Sequence, residues 1–430
     1  MGGNRLNRIA VGIFFSALVS ASLAAQEGLR DRDPQLDAAK RISDDLRRAT
    51  FRHNNLYLLS ELHFSDIGVE QRFYVPTNSQ SQGISFSVSA PQRLYIVATK
   101  KVVFSIDASP TWAFGLRTND DPNTIIRDES KRRRNQFGYR TRADAQFLFN
   151  HLFMDAYGTY TNDLYANTGE INRIVTQKYR EAGVVGEWKY SSRTSGTFSA
   201  VTRRIDYPMN RFQPIDRPVD LLDRRENNFR GSFLHKTFPL TGLFVAAEAS
   251  NYKFKNATYK DSDRVYAGAG FLYDDGRNYW RLEAGDTKLR FDAPGSKNFQ
   301  GFTGNTQYNR RVAAHWNANF DAARDVDFSI FANNNFFVLD RAGTSLEWAT
   351  TRRLSLRAGF QVGRDSYQVP VVSSTLRRDQ YTYPWVGFLY TFRRFRGGFD
   401  VGYYNRTSNL PEFADEENGI RVVLRLSFIP

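Results

Sequence analysis

From about residue 64 to its end, this chain exchanges apolar for polar side chains at nearly every step, in one segment after another. A period of two puts successive side chains on opposite faces of an extended strand. In 354–362, Leu354, Leu356, Ala358, Phe360 and Val362 oppose Ser355, Arg357, Gly359 and Gln361. In 102–114, Val102, Phe104, Ile106, Ala108, Trp112 and Phe114 share one side, with Asp107 and Ser109 on the other. The stretches 243–250, 265–273, 312–320 and 326–333 read the same way. No helical pattern of about 10–15 residues intervenes, so βαβ units are excluded. The mature part has no apolar run of about 20 residues, so it is no bundle of membrane helices. Aromatics are 15% of the chain, yet mean hydropathy is −0.53. Strands that are apolar on one side only reconcile the two.

The connections decide between sandwich and barrel. Short ones fall near 150–151, 191–194, 239–242, 275–277, 321–324, 351–353 and 393–396. Longer ones cover about 118–135, 164–174, 206–225, 255–262, 291–304, 367–377 and 408–417. Short periplasmic turns alternating with longer extracellular loops mark an outer-membrane barrel. The expected fold is all-β, a transmembrane antiparallel β-barrel of about 18 strands, with 16 as the fallback because such barrels are even-numbered. Fifteen strands run from Gln136 onward and about three lie between Phe64 and Arg117, one of them interrupted at Pro91.

The polar face carries charges and amides that a dry core could not hold. Lys189, Glu248, Arg281, Glu283, Arg311, Arg357, Asp400 and Arg425 are therefore expected to line a water-filled lumen, together with Glu187 and Asn317. The apolar face meets lipid. Tyr139, Trp188, Tyr190, Tyr279, Trp280, Trp385, Tyr403 and Tyr404 are expected in interfacial girdles.

The N-terminus reads as an export signal over 1–25. Arg5 and Arg8 precede the apolar run Ile9–Leu23, and Ser22, Ala24 and Ala25 end it. Losing both arginines takes the formal charge from +14 to +12. Residues 26–60 form a polar periplasmic segment. Its stripe Leu36, Ala39, Ile42 and Leu46 favours a short helix or loose tail over a lumen plug. The barrel takes 61–430, placing the mature chain in the outer membrane of a Gram-negative-type bacterium. The chain has no cysteine, which excludes disulfides and thiolate chemistry.

The final strand carries Gly419, Val422, Leu424, Leu426 and Phe428, a polar–x–Gly–x–x–apolar–x–apolar ending that resembles the signal read by the barrel insertion machinery. Ile429 and Pro430 follow where such chains commonly stop on an aromatic. The run Tyr403-Tyr404-Asn405-Arg406-Thr407-Ser408-Asn409, then Glu412, Asp415, Glu416 and Glu417, then Asn418-Gly419-Ile420-Arg421, resembles the ending of the beta-barrel porin 2 family. The resemblance covers about the last 80 residues and implies an outer-membrane barrel associated with exopolysaccharide or capsule synthesis and export.

Basic groups stand at both ends of strands: Lys131–Arg134, Arg203-Arg204, Arg224-Arg225 and Arg377-Arg378 outside, Lys100-Lys101, Arg352-Arg353 and Arg393-Arg394 toward the periplasm. They would draw anionic solute or polymer to the mouth, or neutralise lipopolysaccharide phosphates and headgroups. Export removes nucleic acid as a partner. The five histidines are scattered, and no G-x-S-x-G or H-E-x-x-H occurs. No catalytic set, cofactor or metal is implied. The resulting reading is a non-enzymatic, porin-like barrel for export or assembly of surface polysaccharide. Its alternatives are a diffusion porin with mild anion preference and an outer-membrane enzyme acting on lipid or glycan. The expected partners are outer-membrane lipids and lipopolysaccharide, the insertion machinery, and a polysaccharide or small anionic solute.

Overall fold

The computed structural model describes residues 34–75, 79–119, 131–166, 174–208, 219–370, 375–410 and 416–428. The signal segment 1–25, Glu412, Asp415, Ile429 and Pro430 lie outside the described residues, as do the side chains of 131–136. One α-helix, α1 (Pro34–Arg48), precedes the strands. The strands are β1 (Phe51–His53), β2 (Leu56–Ser60), β3 (Leu62–Val75), β4 (Ser79–Ser89), β5 (Gln92–Thr99), β6 (Val102–Asn119), β7 (Lys131–Leu148), β8 (Leu152–Ala166), β9 (Ile174–Lys189), β10 (Thr194–Asp206) and β11 (Arg224–Phe238). They continue with β12 (Thr241–Phe254), β13 (Ser262–Asp274), β14 (Asn278–Phe291), β15 (Phe299–Ala313), β16 (Trp316–Phe328), β17 (Phe336–Ala349), β18 (Leu354–Tyr367), β19 (Arg378–Phe392), β20 (Phe395–Ser408) and β21 (Glu416–Phe428).

Each strand from β6 to β21 pairs antiparallel with the next, and β21 returns to β3, from Glu416↔Val75 to Phe428↔Leu62. The ring of β3, β4 and β6–β21 has eighteen strands, fifteen of them from β7 onward, as the alternation predicts. Closure leaves this ring of strands no sheet edge, which is what a bilayer demands of backbone groups. Pro91 separates β4 from β5 without slipping the register. Ser89 faces Thr111 and Gln92 faces Ala108, while Glu61 N donates to Pro91 O at 2.9 Å. The first two barrel strands therefore run on as β2 and β5, and β1 pairs with β2 beyond the end of β21. Strand pairing thus starts at Phe51, ahead of the expected boundary at 61.

One connection is corrected. The turn expected at 321–324 lies at Ala314-His315, where Ala313 pairs with Trp316. Residues 321–324 sit inside β16, and the long loop before β17 is 329–335. A two-residue turn preserves the alternation, so Val312 to Phe320 reads as one strand. Ala314-His315 carries none of the usual turn residues, while Asp321 and Arg324 mimic a turn and sit within β16 on its two opposite faces.

Exposure follows the alternation. On β12, Leu243 and Val245 are 52% and 57% exposed, whereas Phe244 and Ala246 beside them are 4% and 5%. Phe229, Phe233, Val265, Phe302 and Val386 are likewise exposed on the outer face. In water so large an apolar surface would drive association. With charges turned inward, the barrel instead presents its apolar band to lipid, the build of Gram-negative outer-membrane barrels. Tyr279, Trp385 and Tyr404 correct the girdle expectation. Tyr279 is 6% exposed on the inner face, and Trp385 and Tyr404 also point inward. Period two forbids both members of Tyr279-Trp280 or Tyr403-Tyr404 from facing out.

The largest apolar cluster sits at the extracellular end. Ile205, Phe254, Leu289 and Phe291 come from strand ends, and Val219, Leu222, Ala257 and Ile330 from the connecting loops. Lys260, fully buried there, donates to the carbonyls of Ser329 and Phe331. Those hydrogen bonds make a buried ammonium tolerable.

Candidate functional site

The inner face is a surface of charge-paired side chains, with partners on the same strand and across strands. On β9–β11, Arg203 reaches Glu181 at 2.9 Å and Glu226 at 3.2 Å, and Arg224 reaches Glu226 at 2.7 Å. On β11–β14, Arg230 bonds Glu248 at 3.3 Å and Glu283 at 2.5 Å, while Arg281 bonds Glu283 at 2.6 Å. On β7–β8, Arg142 lies 2.6 Å from Asp144 and 3.4 Å from Asp155. Arg203 with Glu181 and Glu226, and Arg230 with Glu248, cross between neighbours in direct register, which stand about 5 Å apart at Cβ. Arg224–Glu226, Arg281–Glu283 and Arg142–Asp144 join inward residues two apart on one strand.

The wall formed by β18–β21 is the most distinctive. Asp400 on β20 accepts from Arg357 on β18 and from Arg425 on β21, each at 2.7 Å. Between them, Gly387 of β19 stands in register with both Arg357 and Asp400. A Cβ at Gly387 would collide with the Asp400 carboxylate, so only glycine lets that side chain lie flat across the strand. Trp385 lies across Gly359 in the same way, and Tyr383 across Gly402. Flat-lying side chains keep the wall thin. The guanidinium of Arg357 sits 5.9 Å from the Trp385 ring centroid. Arg421 follows Arg425 on the inner face of β21, and Glu347 on β17 is in register with Arg357. Toward the outside, Arg377 meets Asp379 at 2.6 Å, and Arg406 bonds the same carboxylate.

Helix α1 lies against the inner face near the periplasmic end. Ile42 packs on Tyr95 and Val103, with Leu46, Val97 and Leu148 around them. Asp45 accepts from the Tyr95 hydroxyl at 2.7 Å, from Arg93 at 2.5 Å and from Arg48 at 2.7 Å. Burial alone would raise the Asp45 carboxyl; Tyr95, Arg93 and Arg48 outweigh it and hold the group below its ordinary value. The short stripe in this segment shows the helix, but the polar contacts of Asp45 that seat it leave no mark in a hydrophobic pattern.

Of the residues read as lumenal, Glu248, Arg281 and Glu283 meet around Arg230, and Arg357, Asp400 and Arg425 form one triad. Lys189 lies 3.9 Å from Glu187 on β9. Arg311 is apart from these groups, exposed at the periplasmic end of β15. Sequence reasoning did not place Arg230, Arg203 or Glu226 in the lumen, and read Arg203 only as part of a basic group at the outer strand end, although their parity within β10 and β11 was available to find them. Gly419, Val422, Leu424, Leu426 and Phe428 all belong to β21. Phe428 packs on Phe395 with ring centroids 5.0 Å apart. Among the described residues, no group of three or more His, Asp and Glu could hold a metal ion.

No family model matches the chain, so the resemblance of residues 403–421 to the beta-barrel porin 2 ending has no such match behind it. No curated protein matches it in sequence either. Solved structures similar in shape include OccK7 (OpdD) of Pseudomonas aeruginosa, at 11% identity and TM-score 0.49, covering 87% of this chain and 99% of that one. OccAB1 of Acinetobacter baumannii stands at 13% identity and TM-score 0.49, with 89% and 99% covered. OpdK of Pseudomonas aeruginosa, solved with vanillate, stands at 12% and 0.47, with 86% and 98% covered. Likenesses of this size say nothing about a solute.

Proposed function

We propose that the protein is a passive outer-membrane channel for small hydrophilic solutes, with a mild preference for anions. The observation that carries this reading is the β18–β21 wall. Arg357, Arg421 and Arg425 stand there against Asp400 and Glu347, a small positive excess on a surface kept thin by glycine. Arg203, Arg224, Arg230 and Arg281 elsewhere on the inner face are matched by carboxylates at bonding distance, which keeps the field across the lumen modest. Such a wall attracts small anions without holding them, as passage requires. Export or assembly of a surface polysaccharide, implied by the resemblance of the chain's ending, has no observation of its own behind it.

Planar-bilayer recording under a salt gradient tests the reading. The expected result is a stable conductance whose reversal potential has the sign of anion preference. Arg357→Ala with Arg425→Ala should move it toward the cation side. A barrel that inserts and passes no current, or a double variant with unaltered selectivity, would overturn the proposal.

A further inference from the structure

Four cations stand side by side on the outer face. In direct cross-strand register, Arg180 of β9 faces Arg204 of β10, Arg204 faces Arg225 of β11, and Arg225 faces Lys253 of β12. All four are exposed and share the parity of the lipid-facing residues Phe198, Phe229 and Val245. Like charges directly opposite one another destabilise a sheet. Compensation inside the protein is partial. Arg204 meets Asp206 at 3.0 Å, and Lys253 meets Asp292 at 2.6 Å and Asp261 at 3.4 Å. Among the described residues no carboxylate pairs with Arg180 or Arg225. Arg180 instead lies 5.4 Å from the ring centroid of Tyr160, which is stacked on Tyr139.

A second feature adjoins the row. On its periplasmic side, within the apolar band, the outer face is hollowed where Ala143, Ala145, Ala156, Gly158, Ala182 and Ala200 replace the large side chains found elsewhere. Ala182 is the next outward residue after Arg180 on β9, and Gly158 the next after Tyr160 on β8. A cationic row at the outer end of the apolar band, with a shallow apolar trough running down from it, has the shape of an amphiphile with an anionic head.

We propose that this face binds a phosphorylated glycolipid of the outer leaflet, of the lipid A class, with its phosphates on Arg180, Arg204, Arg225 and Lys253 and an acyl chain in the trough. Guanidinium groups suit phosphate because they can bond it bidentately. A second copy of this chain fits less well, since a two-fold contact here would set the cationic row against itself. The row faces away from the lumen, so this site and the channel are independent.

Native mass spectrometry of the detergent-purified barrel tests the proposal, with bisphosphorylated, monophosphorylated and phosphate-free lipid A as probes. The unaltered protein should hold the bisphosphorylated form at least tenfold more tightly than the phosphate-free one. Arg180→Ala with Arg225→Ala should lose most of that preference. Arg180→Lys with Arg225→Lys should keep a large part of it, which separates lost charge from lost folding. Ala200→Trp should weaken all three probes alike by filling the trough. Equal binding of the three probes by the unaltered protein, or an unchanged preference in the alanine variant, would overturn the site. So would a dimer that falls apart in the alanine variant while lipid binding persists, because the face would then belong to a second copy. Bilayer conductance should be the same in all variants, so failure here leaves the channel reading standing.

Discussion

Two arginine doublets are divided between the two faces of the barrel. Arg203 and Arg224 point inward, where Glu226 bonds both at 3.2 and 2.7 Å. Arg204 and Arg225, their chain neighbours, point outward and stand opposite each other. The residue type is the same and the positions are adjacent, yet one member of each doublet has its counter-ion built into the fold and Arg225 does not. Inside, the side chains of Arg224 and Glu226 are largely buried in the wall, and the charge must be matched by the protein. Outside, the polar margin of the membrane can supply the match. A basic doublet on a barrel strand therefore carries two separate messages, one about the lumen and one about the lipid.

The largest expected effect tests that contrast directly. Glu226→Gln removes the carboxylate shared by Arg203 and Arg224 and leaves two inward guanidiniums short of a partner. Breaking a buried pair in this way costs about 3–5 kcal/mol. Arg225→Gln, one residue removed in sequence from Arg224, should stay within roughly 0.5 kcal/mol in detergent. The temperature at which the folded barrel loses its compact migration in gels measures both. If the two substitutions lower it equally, the inner and outer charges are not different in kind.

A smaller effect concerns the helix seated on the inner face. Asp45 is held ionised by Tyr95, Arg93 and Arg48, and its carboxyl lies below the ordinary value. A depressed carboxyl stabilises the docked helix at every pH above its unfolded value of about 4, and that contribution is lost as pH falls through the depressed folded value. Docking should therefore persist to about pH 4 and weaken only below it. Asp45→Asn should lose about 1.5–3 kcal/mol of docking at neutral pH, the range for hydrogen bonds to a charged group. Hydrogen exchange of α1 amides reads this. Exchange that changes near pH 6–7 instead would detach the helix from Asp45.

Period two made the barrel legible, along with the strand total, the inward charges and the outward apolar band. It is a property of each strand alone. What was not legible depends on something between strands. The turn at Ala314-His315 keeps the alternation, so no local signal separates β15 from β16. Trp385, Tyr383 and Asp400 lie flat because Gly359, Gly402 and Gly387 stand beside them on neighbouring strands, a match visible only once register is known. The row of Arg180, Arg204, Arg225 and Lys253 is likewise a fact of register across four strands. Each residue alone reads as an ordinary charge near a strand end.

The smallest effect compares two arrangements of identical composition. On the inner face Arg357 and Arg425 share Asp400, both at 2.7 Å. On the outer face of β16–β18, Arg324 and Arg364 share Asp340 at 3.0 and 2.9 Å. Asp340 joins arginines of its two adjacent strands, Asp400 reaches Arg425 on the next strand and Arg357 across β19, and the two differ in surroundings. The Asp400 side chain is 12% exposed and that of Asp340 27%, and the outer arginines are about half exposed. Exposed pairs contribute about 0–1 kcal/mol, so Asp340→Asn should barely lower the unfolding temperature. Asp400→Asn should lower it more, because it leaves Arg357 and Arg425 facing each other across Gly387. The stronger discrimination is electrical. Removing Asp400 adds a net positive charge to the lumenal wall, and the reversal potential should move further toward anions. Removing Asp340 adds the same charge on the lipid side of the barrel, and the reversal potential should not move. A shift of equal size from both would mean that the β18–β21 wall does not set the field along the permeation path.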